Sequence, residues 1–64
     1  MSALQAFVEQ IETYGIPYSQ YAPQDSSNLV RIFIMDDHTV GVIVYNSYGS
    51  PIEAKFIPSK IQLG

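Results

Sequence analysis

The sequence predicts an α+β fold in which one N-terminal helix packs on an antiparallel β-meander of three or four strands. Three observations carry this. Apolar residues recur at helical spacing only between residues 2 and 14. Beyond residue 28, short runs rich in β-branched residues are separated by clusters of turn formers. Finally, 64 residues with no internal repeat and no linker make a single small domain over residues 1–64.

The helix is expected over residues 2–14, where Leu4, Phe7, Val8, Ile11 and Tyr14 form one apolar stripe and Gln5, Glu9, Gln10, Glu12 and Thr13 take the other side. Ser2 with Gln5 three residues on is a capping-box pattern. Gly15 is expected to end the helix in a left-handed conformation, with Ile16 reaching back to Ile11 and Pro17 forbidding continuation. Tyr14 is placed in the core. Residues 16–21 read as a short, Pro-bearing edge strand. Residues 22–28 (Ala-Pro-Gln-Asp-Ser-Ser-Asn) collect turn formers and read as a loop. Strands follow at residues 29–35, 39–46 and 51–57, with Pro51 tolerated at a strand start.

Register follows from side-chain alternation, because a slip of one residue sends every side chain to the other face. Taking Asp36-Asp37-His38 as a three-residue turn pairs Val30 with Val44, Ile32 with Val42 and Ile34 with Val40. Taking Ser47-Tyr48-Gly49 as another such turn, with Gly49 left-handed, pairs Val44 with Ile52, Val42 with Ala54 and Val40 with Phe56. Every pair on that face is apolar, so it is expected beneath the helix, with Val42 at its centre.

The other face then carries Leu29, Arg31, Phe33, Met35, Ile43, Tyr45, Glu53, Lys55 and Ile57, an apolar and aromatic area with an Arg31–Glu53 ion pair across it. Such a patch on a small chain signals a binding surface. Tyr48 at the tip of the second turn joins these as a candidate contact, since exposed turn residues often carry recognition.

Composition narrows the function. Six acidic and three basic residues give a net charge of −3, which leaves out the basic patch that dominates nucleic-acid affinity. The acids are too few and scattered to imitate a row of phosphates. No apolar run approaches a membrane span, and Glu9 and Glu12 stand where a signal peptide would be apolar. A cytoplasmic protein, complete from Met1, is therefore expected. The chain has no Cys, so a partner subunit is the natural source of additional burial.

His38 beside Asp36 and Asp37 is the only grouping of a base with carboxylates, and it reads as a solvated turn. A calcium loop would need a D-x-D-x-D-G run, which is missing. The glycines are too far apart for a phosphate loop. No catalytic residue, metal site or cofactor is assigned. The expected function is a non-enzymatic protein-interaction module, a small inhibitor, adaptor or regulatory protein of phage or microbial type, self-associating as a homodimer. The alternative is a nucleotide or single-stranded nucleic-acid binder stacking bases on Phe33 and Tyr45 beside Arg31. In the order helix then meander, and in its turn Asn46-Ser47-Tyr48-Gly49, about half the chain resembles small regulatory modules of the PepSY type. That resemblance implies the same helix-on-sheet fold and a regulatory role.

Overall fold

The computed structural model describes residues 2–36 and 38–58. Helix α1 runs Ala3–Tyr14, and four strands follow: β1 Ile16–Tyr21, β2 Leu29–Asp36, β3 Thr39–Tyr45 and β4 Pro51–Pro58. They form one antiparallel sheet in the order β1-β2-β3-β4, so every strand pairs with its neighbour in sequence. The helix lies over β2, β3 and β4. The molecule is a slab of Cα extents 35 × 31 × 15 Å.

Ser2 caps α1 as its side chain predicts, its Oγ accepting a hydrogen bond from Gln5 N–H at 3.1 Å. The other end stops differently. Gly15 has φ −79° and ψ 153°, extended backbone that any residue adopts, and its N–H donates to the Ile11 carbonyl at 2.8 Å. The glycine is required for closeness instead of handedness: a Cβ there would stand 2.5 Å from the Ile11 carbonyl oxygen and 2.9 Å from Phe33 Cβ. Val8 and Ile11 are the buried residues of the predicted stripe. Phe7 lies at the sheet margin, edge-on to Phe56 with ring centroids 5.6 Å apart. Tyr14, expected in the core, is 73% exposed.

The edge strand predicted at residues 16–21 forms, antiparallel to β2, with a bulge between Pro17 and Ser19. Between β2 and β3 the predicted pairs Val30–Val44, Ile32–Val42 and Ile34–Val40 are all present. The turn is tighter than expected, because Asp36 pairs with Thr39 and the odd residue is absorbed as an irregularity between Ile34 and Asp36. Asp37 lies outside the described residues. The Asp36 carboxylate accepts the His38 N–H at 2.8 Å, and that bond holds the carboxyl below its usual range.

The second hairpin departs by one residue. Gly49 has φ +85° as its turn demands, and Gly49 N–H donates to the Asn46 carbonyl. Asn46 Oδ1 also accepts from Tyr48 N–H and Ser50 N–H. Tyr45 pairs with Pro51, but Val44 pairs with Glu53, leaving Ile52 as the extra residue of a bulge. Val42 accordingly faces Lys55 and Val40 faces Ile57, in place of Ala54 and Phe56. The bulge turns Ala54 and Phe56 to the same side as Ile43 and Gly41.

Both faces of β2 and β3 are apolar, and the helix takes the one opposite to expectation. Its core joins Val8 and Ile11 to Phe33, Ile43 and Tyr45, flanked by Leu4, Leu29, Met35, Ala54 and Phe56. Val30, Val40 and Val42 form a separate cluster on the far side, flanked by Ile32 and Val44. The reason lies in volume and approach. Aromatic rings bury the most area per residue. Gly41 lets Ile11 descend between them, so that a Cβ at Gly41 would meet both γ-carbons of Ile11 at 3.0 Å. The all-Val/Ile face offers no such recess.

Candidate interaction surface

The expected binding residues are divided between the two faces. Phe33 is 3% and Ile43 0% exposed, and with Tyr45 they lie beneath α1. Leu29 and Met35 are half-buried against the same cluster. These five are core, a correction that follows directly from the face the helix covers. Arg31 shares their side: its guanidinium carbon is 5.4 Å from the Phe33 ring centre and 5.9 Å from that of Tyr45. Its stem covers the rings while its head reaches the margin. Glu53, Lys55 and Ile57 are on the opposite face, in line with Val44, Val42 and Val40. An Arg31–Glu53 ion pair across one face is therefore not formed. Tyr48 stands at its turn tip, 92% exposed.

The burial of Phe33 and Tyr45 also removes the stacking platform, since neither ring presents a free face to a base. Tyr45 instead ties sheet to helix, its hydroxyl donating to Glu12 Oε2 at 3.3 Å. Burial pushes the phenol above its ordinary 10.0, and the Glu12 charge adds to the shift. The folded state thus favours the neutral phenol. The resulting stability is fully present below about pH 10 and is lost as pH rises through the higher folded value. Tyr45→Phe is expected to cost about 1 kcal/mol at neutral pH and to remove part of the alkaline loss, as read by urea unfolding at neutral and alkaline pH.

What remains uncovered among the described residues is the aliphatic face. Three rows cross it: Tyr21-Val30-Val44-Glu53, Ser19-Ile32-Val42-Lys55, and Ile16-Ile34-Val40-Ile57. The central valines are screened by their neighbours, whereas Ile16, Tyr21 and Ile57 at the two margins are exposed. Val30, Ile32, Ile34, Val40, Val42 and Val44 form the surface that the apolar cross-strand pattern assigns to the core. Gly41 is the signal in the sequence that points the other way, since a glycine amid β-branched residues marks a close approach.

No group of three or more metal-binding side chains occurs among the described residues. None of their helices is long and apolar enough to cross a membrane. Comparison with known protein families, curated proteins and solved structures finds no match to this chain.

Proposed function

We propose that this chain is a protein-interaction module, an adaptor, inhibitor or regulator without catalytic chemistry, that docks through the aliphatic face of its sheet. The observation that carries the reading is that face itself: three rows of Val and Ile on the side away from α1, with no described element over them. An antiparallel sheet ordinarily turns its uncovered side polar. Here the polar residues Ser19, Glu53 and Lys55 occur only on the outer strands.

The sheet edges are poorer candidates. β1 carries Pro17 and a bulge, and β4 begins and ends in Pro51 and Pro58 with Lys55 between them. Proline, bulges and edge lysines are the features that discourage strand addition. Pairing at an edge is blunted while packing on the face is left open.

The test places a photo-crosslinking residue at Ile57, 40% exposed on the open face, or at Gln10 on the solvent side of α1. Adducts of defined mass from Ile57, competed by unlabelled wild-type chain and not formed from Gln10, are expected. Equal labelling from both positions, or none from Ile57, overturns the reading.

A further inference from the structure

Resting on that reading, we infer that the occupant of the open face is a second copy of this chain, related by a two-fold axis that runs along the row Gln20-Arg31-Ile43-Ala54. This row crosses all four strands, each residue paired with the next. On the open face it is flanked on one side by Tyr21-Val30-Val44-Glu53 and on the other by Ser19-Ile32-Val42-Lys55. A two-fold along the row, midway between two stacked sheets, exchanges those flanking rows. Val44 then meets Val42 of the second copy, Val30 meets Ile32, and Glu53 meets Lys55.

Charge selects this arrangement. Glu53 and Lys55 are the only ionisable side chains of the three rows apart from the Tyr21 phenol. They are two residues apart on one strand, so a two-fold through Ala54 makes two opposite-charge contacts from one pair of residues. Shifting the axis by one residue, onto the row containing Val42, sets Lys55 against its own copy, and such like-charge juxtaposition opposes a register. An isologous contact needs a self-complementary surface, and this face has one.

Size is also sufficient. The broad side of the slab, 35 × 31 Å, accommodates the roughly 800 Å² that each partner gives to a stable complex. Aligned sheet packing, with the sheets ≈ 10 Å apart, lets the central Val and Ile side chains interdigitate. Glutamate and lysine at the rim span that gap.

The experiment uses exposed positions, so the fold is left intact. Sedimentation across a concentration series is expected to show a reversible dimer of the wild-type chain. Glu53→Lys and Lys55→Glu should each weaken it roughly tenfold or more, because two attractive contacts become two repulsive ones. An equimolar mixture of the two variants should form a heterodimer, since one copy is then all positive at these positions and the other all negative. The chain carrying both substitutions should recover wild-type association. Circular dichroism confirms that each variant is folded.

A wild-type chain that stays monomeric at high micromolar concentration overturns the inference, and so does a mixture no tighter than either variant alone. Adducts from Ile57 to other proteins in that case preserve the interaction reading while removing the second copy. Failure of Ile57 to label anything removes both.

Discussion

Replacing Ile43 by Asp is expected to abolish cooperative folding, whereas Val42→Asp one residue away should leave a folded chain of lower melting temperature. Ile43 is fully buried beneath Val8 and Ile11. A carboxylate there would lose its hydration with no described side chain placed to pair with it, a cost of several kcal/mol. A domain of this size has about 3 to 5 kcal/mol in hand. Val42 is on the open face and its cross-strand neighbour is Lys55, so a carboxylate in its place reaches water and a cation. The check is thermal unfolding followed by circular dichroism at low protein concentration, where self-association does not contribute. Loss of the transition in Val42→Asp with its retention in Ile43→Asp would reverse the two faces.

Substituting Gly41 by Val should destabilise the fold by about 3 kcal/mol, at the upper end of what overpacking commonly costs. Its Cβ would be 3.0 Å from both γ-carbons of Ile11 and 3.1 Å from Met35 Sδ, and two further methyls have no space. The effect is specific to one neighbour, which gives it an additional readout. In a cycle of Gly41→Ala and Ile11→Val, the double variant should be less destabilised than the sum of the singles, because the smaller side chain at position 11 makes room for the new methyl. Additive losses would mean that Ile11 does not occupy the recess above Gly41.

The elements were legible in the sequence, and so was the register of β2 on β3. Helical spacing over residues 2–14, Ser2 as cap and Gly49 as the left-handed turn residue each act through local chemistry that does not depend on the rest of the fold. The choice of face was not local. In β2 the alternating sets Val30-Ile32-Ile34 and Leu29-Arg31-Phe33-Met35 are both apolar enough to be buried, and the charge of Arg31 gives the set containing it the pattern of a solvent face. An arginine that lies over Phe33 and Tyr45 keeps its charge at the margin while its stem shares the apolar side. The Ile52 bulge was hidden for a related reason. Pairing Ile52 with Val44 satisfied the pattern of one face, but the bulged register sets Phe56 and Ala54 beneath the helix, where a ring gains more than on an open sheet. A pattern of apolar residues weighs each of them equally, and size decided between the faces.

The unbroken order β1-β2-β3-β4 has a kinetic consequence. Each strand finds its partner across a short stretch of chain, so the entropy lost in closing each loop is small and hairpins can form in about 1 to 10 μs. The contacts of α1 with β4 are different, because the whole meander separates those elements in sequence. The sheet can therefore assemble by successive local steps before the helix has a complete surface to rest on. During that interval both faces of β2 and β3 are bare, and a nascent sheet meeting another chain could be covered by either side. The fit of Ile11 into the recess above Gly41 then acts as a sorting step. It gives the helix its own face and leaves the smoother one free, so that the order of folding events preserves the surface available after folding.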